Sequence, residues 1–168
     1  MSAPPPLRLA SSARDLELAR ELFAEYASTL PIDLAFQGFD EELATLPGRY
    51  APPRGRLFLA GAPGEAVGCI ALREVDPPPL ALGGPAAAPI GEIKRLYVRP
   101  IARGTGTGRR LAAAVVDAAR AIGYRTLCLD TLASMREAQA LYASLGFTTT
   151  ARYYGPPLDD IVYYRMTL

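Results

Sequence analysis

Residues Arg103 to Leu111 read RGTGTGRRL, with glycine at positions 104, 106 and 108. A strand-like segment, EIKRLYV (Glu92 to Val98), precedes the run. After it, Leu111, Val115, Ala118 and Ile122 mark one face of an alanine-rich helix. Glycine at alternate positions lets bare backbone approach a neighbour closely. That neighbour is either a phosphate-bearing ligand or an adjacent helix.

Two familiar phosphate motifs fail here. A P-loop needs Lys after its last glycine, whereas Arg109 and Arg110 follow Gly108. A dinucleotide fingerprint fits Gly104 and Gly106 but needs a third glycine at 109. Asp130 imitates the ribose-binding acid of that fold, yet only 38 residues follow it, too few for the remaining βαβ units. A nucleotide-dependent oxidoreductase is therefore the weakest of the readings.

Working outward, LRLA (Leu7 to Ala10) reads as a short strand, and Ser11 or Ser12 caps a helix ended by Pro31. A second short helix, Phe39 to Gly48, has Asp40 as its expected cap. RLFLAGA and AVGCIALREV form a hairpin around Pro63-Gly64-Glu65. Asp76 to Gly91 is a Pro/Gly/Ala-rich loop. RTLCLDTL reads as a buried strand, Met135 to Leu145 as a helix, and Thr148 to Tyr154 and Ile161 to Leu168 as closing strands. The order β-α-α-β-β-β-α-β-α-β-β is a mixed α/β domain spanning 1–168. EIKRLYV does not alternate cleanly, because Glu92 and Lys94 share parity with Leu96 and Val98. A bulge that re-aims the polar half accounts for this, as does a plain strand with an exposed polar end.

Composition narrows the chemistry. A chain of 168 residues, 50% apolar, affords a sizeable core. Its net charge of +1 offers no basic stripe for nucleic acid. All but one of its eighteen basic residues are arginine, which reads as coding bias. There is no histidine, so acid–base work falls to carboxylates, tyrosines or water. Cys69 and Cys128 read as core residues, and no metal site is expected. MSAPPPLRLA has no signal-peptide pattern and no run is long enough to span a membrane, so a cytoplasmic protein without membrane partners is expected.

Arg103-Gly104-Thr105-Gly106-Thr107-Gly108, between a strand ending LYV and a helix, resembles the acyl-CoA-binding motif of the GCN5-related N-acetyltransferase (GNAT) superfamily. AQALYASLGF downstream is similar to the family's second cofactor-proximal segment, and the likeness covers almost the whole chain. The resemblance implies a mostly antiparallel sheet flanked by helices, with two central parallel strands splayed to form an acyl-CoA cleft. It implies acetyl-CoA as cosubstrate, with Arg103 to Gly108 and Arg109 around the pyrophosphate and Leu96, Tyr97 and Val98 along pantetheine. Physically, bare N–H groups at a helix start attract anions, and the helix dipole reinforces them.

The implied reaction is acetyl transfer to an amine, which must first lose a proton. Glu92 matches where many family members carry a glutamate base, with Asp130 in reserve. Tyr142 resembles the family tyrosine that reaches the cofactor sulfur and protonates the leaving thiolate; on residues alone, a core aromatic on the apolar helix face is the leading reading. Met135 departs from the family, many members of which carry Asn seven residues before that tyrosine. Phe36, Gln37, Phe39, Tyr50, Tyr153, Tyr154, Asp159 and Asp160 flank the expected acceptor cleft, where aromatic walls with an acidic rim suit a cationic amine. The acceptor is a small-molecule or peptide amine, and family precedent points to a homodimer. The competing class is a non-catalytic acyl-CoA-binding or regulatory module.

Overall fold

Alternating apolar residues build one seven-stranded sheet in the computed structural model, which describes residues 3–168; Met1 and Ser2, at the start of the expected domain, lie outside it. Strand β1 (Leu7–Leu9) leads to helix α1 (Ala13–Ser28). Ser12 caps it, accepting from the Asp15 N–H while Asp15 accepts back from the Ser12 N–H, a capping box. Leu18, Ala19, Leu22 and Phe23 are the buried stripe of α1. A 3-10 turn (Leu34–Gln37) precedes α2 (Phe39–Thr45), whose N-cap is Gly38 and not the expected Asp40.

Strands β2 (Arg56–Ala60) and β3 (Gly68–Val75) form the expected hairpin. The segment read as a loop from Asp76 to Gly91 is structured. Two 3-10 turns (Leu80–Leu82 and Gly84–Ala87) fold onto a fully buried Leu82, and strand β4 (Ile90–Val98) starts before the loop's expected end. Helix α3 (Thr107–Ile122) buries Leu111, Ala112, Val115, Val116 and Ala119, while Ala118 is only partly covered. Then come β5 (Thr126–Leu132), α4 (Arg136–Ser144), β6 (Thr148–Thr150) and β7 (Ile161–Thr167). The strand expected to run to Tyr154 stops at Thr150.

The sheet order is β1-β2-β3-β4-β5-β7-β6, with every pair antiparallel except β4 and β5. One face packs on α3 and α4 through Ile70, Leu72, Ile93, Leu127 and Leu129. The other packs on α1 and α2 through Leu57, Leu59, Cys69, Ala71 and Tyr97. Among the described residues no helix is long and apolar enough to cross a membrane.

β4 carries the expected bulge. Ala71 faces Lys94 and Cys69 faces Tyr97, so Ile70 alone opposes both Arg95 and Leu96, and Arg95 takes φ +60°. The alternation of side chains flips there. Glu92 and Lys94 lie on the α1 face with Tyr97, while Ile93, Leu96 and Val98 pack with α3. Glu92 and Lys94 are buried, which excludes the exposed polar end.

Below the bulge, β4 and β5 pair only through Ile90–Thr126, Gly91–Leu127 and Glu92–Cys128. Gly91 makes that closure tight, because a Cβ there would meet Leu127 Cδ2 at 2.9 Å and both Leu72 Cδ1 and Tyr124 Cδ2 at 3.1 Å. Gly91→Val is expected to lower stability by about 1–3 kcal/mol through overpacking, measured by urea denaturation.

Candidate active site

Beyond Glu92 the parallel strands part, and a cavity of about 690 Å³ passes through the sheet between them. On the α3 side it is lined by Gly104, Gly106, Gly108, Leu141 and Tyr142; on the α1 side by Tyr26, Leu30, Ile32, Leu34 and Gln37. The Arg99 N–H donates to the Val67 carbonyl, the residue just before β3. Strand alternation therefore turns the Tyr97 backbone toward β3 and the backbone groups of Leu96 and Val98 toward the gap. Leu96, Tyr97 and Val98 all line it.

The glycine run sits at the mouth of this opening. Gly104 and Gly106 have φ of +74° and +79°, the left-handed region, and a Cβ at either would meet no atom within 4 Å. Helix packing thus does not account for these two glycines; the space beside them is open. Gly108 has ordinary φ, and a Cβ there would only touch Val98 and Leu141. No side chain caps α3. The first N–H bonded back into the helix is that of Arg110, to Gly106, so those of Thr107, Gly108 and Arg109 have no partner in the helix. Such a terminus is a ready anion site.

The side chains of the run divide. Arg103 lines the cavity and donates from Nε to the Val98 carbonyl at 2.9 Å. Thr107 lines it too, its hydroxyl 2.7 Å from that of Thr105, which donates to the Ala102 carbonyl. Thr105 and Arg109 are outside the lining. Arg109 instead bonds Ser144 on α4 at 2.8 Å.

A buried polar cluster occupies the α1 side. Glu92 is 3% exposed and lies outside the cavity lining. Its Oε2 accepts from Arg73 Nε at 2.8 Å and lies 2.7 Å from Arg73 Nη2; its Oε1 accepts from Tyr153 at 3.0 Å and lies 3.4 Å from Lys94 Nζ. Burial alone would raise its pKa, but Lys94, Arg73 and the Tyr153 hydroxyl together hold the carboxyl below its ordinary value. Both oxygens of the expected base are committed.

Asp130, by contrast, lines the cavity. Its Oδ1 accepts from Lys94 Nζ at 2.8 Å, and the Tyr154 hydroxyl, which itself accepts from Lys94 and Gln37, is a second hydrogen-bond partner of the carboxylate. Lys94 also donates to Tyr154 Oη at 2.8 Å and stands 4.6 Å from the centre of that ring. Arg95 grips Glu42 through Nε at 2.8 Å and Gln37 through Nη1 at 2.9 Å. The sequence gives no site role to Arg73 or Glu42, and to Lys94 and Arg95 only that of pairing with a surface Glu92. A signal was present: the chain's single lysine stands on the one strand whose alternation breaks. Of the eight residues expected to flank the acceptor, only Gln37 lines the cavity. Phe39 and Tyr50 belong to the α1 core, Phe36, Tyr153 and Tyr154 pack behind the wall, and Asp159 and Asp160 are exposed outside it.

A model of the Acetyltransferase (GNAT) family matches residues 16–147. The chain belongs to that family. An uncharacterized N-acetyltransferase of Schizosaccharomyces pombe is 37% identical over 156 residues, 92% of this chain and 90% of its own. An aminoglycoside N(6')-acetyltransferase type 1 of Stenotrophomonas maltophilia is 35% identical over 130 residues, covering 77% and 78% of the two chains. Of solved structures, an acetyltransferase from Streptococcus agalactiae 2603 has the same fold at TM-score 0.72 and 20% identity, over 97% of this chain and 98% of that one. A putative acetyltransferase from Salmonella typhimurium, solved with its cofactor acetyl-CoA, matches at TM-score 0.70 and 21% identity, over 99% and 94%. The mixed sheet is thus the GNAT fold.

Within that fold Tyr142 lines the cavity from α4, packed edge-on against Phe147 at 5.6 Å. Burial pushes its phenol well above the ordinary value, so it holds its proton at neutral pH. Met135 also lines the cavity.

Glu92→Gln would leave Arg73 and Lys94 short of their shared counter-charge. The variant is expected to lose about 3–5 kcal/mol of stability, as breaking a buried ion pair does. Since folding depresses the Glu92 pKa below 4.5, its contribution is present above that pH and is lost as pH falls through the folded value. Acid titrations of stability should therefore be shallower below about pH 4.5 in Glu92→Gln than in the natural chain.

Proposed function

We propose that this GNAT protein is an N-acetyltransferase that moves an acetyl group from acetyl-CoA to a primary amine by direct attack on the thioester. One observation carries the reading: the parted β4–β5 strands open onto the uncapped start of α3, where two left-handed glycines leave clear space. That is the shape a pyrophosphate with a trailing pantetheine arm fits. The N–H groups of Thr107, Gly108 and Arg109 hold the anion, and Arg103 at the cavity edge adds a cation. Leu96 offers its gap-facing backbone groups to the arm, as to an added strand.

Acetyl-CoA supplies an activated acyl group as a thioester. The chain's own residues do the rest. Asp130 replaces Glu92 as the group that accepts the amine proton, because its carboxylate faces the cavity while that of Glu92 does not, directly or by way of water. Lys94 holds Asp130 in place and, as a neighbouring cation, favours the neutral form of a docked amine. As the C–N bond forms, the Val98 N–H in the gap stabilises the charge growing on the carbonyl oxygen. When the C–S bond breaks, Tyr142 gives its proton to the sulfur.

Two variants test this. Asp is among the few non-glycine residues that enter left-handed backbone, so Gly106→Asp should fold. Its carboxylate would occupy the anion site, and calorimetry should find acetyl-CoA binding abolished; unchanged affinity would refute the cradle. Tyr142→Phe keeps the ring and its packing. It should lower kcat by roughly 10²-fold, the low end of general-acid effects, with little change in acetyl-CoA affinity. An unchanged kcat would leave Tyr142 a core aromatic.

A further inference from the structure

The α1 half of the cleft combines much hydrocarbon with little free charge. Its walls are Leu30 and Ile32 from the turn after α1, Leu34 from the 3-10 turn, Leu132 from the end of β5 and Ile161 from the start of β7. A tyrosine trio, Tyr153, Tyr154 and Tyr163, backs this wall with ring centroids 5.2 to 6.0 Å apart. Three ionised side chains line this half: Lys94, Arg95 and Asp130. Arg95 is closed onto Glu42 and Gln37, and Lys94 onto Asp130 and Tyr154. Among the described residues the one anion lining this half is the Asp130 carboxylate; the hydroxyls of Tyr26 and Thr29 that also line it are neutral.

We infer that the acceptor is a small apolar primary monoamine, of the branched-alkyl or arylalkyl class. Its nitrogen meets Asp130, and its hydrocarbon lies on Leu30, Ile32, Leu34, Leu132 and Ile161. This rests on the acetyl-transfer reading above and adds what that reading leaves open. A polycation would bring a second ammonium to a wall with no second anion, beside Lys94 and Arg95. Burying a charge unpaired is costly, and like charges add to the penalty. Asp33, Asp159 and Asp160, the acidic residues beside this wall in sequence, are exposed and stand outside the cavity, Asp33 accepting from the Ala35 N–H, and Glu137 enters it from α4 with Arg136 beside it. An amino acid fares little better. Its carboxylate would lie against aliphatic side chains, since the nearby cationic donors are already engaged.

The test measures thiol release from acetyl-CoA by the full chain with six amines. Isoamylamine and leucine differ only in the carboxylate, as do 2-phenylethylamine and phenylalanine; spermidine and kanamycin are the polycations. Expected kcat/KM values for the two monoamines exceed those of the other four by at least about tenfold, the order that one unpaired buried charge imposes. Leucine, phenylalanine or a polycation matching the monoamines overturns the proposal. Ile32→Glu, in a half-buried turn, adds an anion to the wall and should raise the spermidine-to-isoamylamine ratio by about fivefold; an unchanged ratio also overturns it. Calorimetry with acetyl-CoA on the same preparation separates the two levels. Binding without monoamine turnover defeats the acceptor assignment, whereas absence of binding defeats the acetyl-transfer reading and the assignment with it.

Discussion

Arg95 sits in left-handed backbone, where an ordinary L-residue carries a penalty of roughly 1–2 kcal/mol. What holds it there is its own side chain. The guanidinium bonds both oxygens of Glu42, reaches Gln37, and lies 5.1 Å from the centre of the Phe39 ring. Those partners belong to α2 and the turn before it, so the α1–α2 layer is what fixes the bulge in β4. Because of the bulge, Lys94 and Arg95 both point to the α1 face, while Leu96 and Val98 remain with α3. One strand thereby serves two half-sites, a polar one above the sheet and a backbone-lined one below. Strain of this kind persists where surrounding structure over-determines it, and it is found at functional sites.

The same arrangement sets the two carboxylates in different places. Glu92 lies below the bulge, where β4 and β5 still pair, and there it is walled in by Arg73, Lys94 and Tyr153. Asp130 lies two residues further along β5 than Cys128, the last residue paired with β4, and so reaches the opening. Lys94 joins the two. Its compact ammonium donates to Asp130 and Tyr154 while lying close to Glu92, which a planar guanidinium of greater reach would not do from the same backbone position. In a chain otherwise supplied only with arginine, a lysine here has a geometric reason, and the coding-bias reading does not cover it.

The element order was legible because hydrophobic period switches cleanly between 2 and 3.6, and because Gly and Pro punctuate the switches. Legibility failed where one distant contact overrides local composition. Leu82 pulls a Pro/Gly-rich stretch into two 3-10 turns by filling a pocket against Ile90 and Cys128. Tyr153 and Tyr154 look like strand residues, but they leave the sheet after Thr150 to reach Glu92 and Lys94. The glycine motif was readable because its requirement is local: backbone that avoids a Cβ. The polar cluster was not, because Glu92 alone takes partners from β3, β4 and the β6–β7 loop, and no window of sequence contains them together.

This difference bears on how the fold divides its labour. The glycine half of the cleft depends on backbone geometry over a few consecutive residues, Gly104 to Arg109, at the start of one helix. Its chemistry changes little whatever side chains surround it. The α1 half is assembled from α1 and the turn after it, the 3-10 turn, β4, β5 and β7, each contributing a few side chains. A single replacement at Ile32 or Leu132 alters its shape or charge without touching the glycine run. For this reason the acceptor has to be read from this chain's own wall of Leu30, Ile32, Leu34, Leu132 and Ile161, and the name of a relative's substrate does not transfer with the fold.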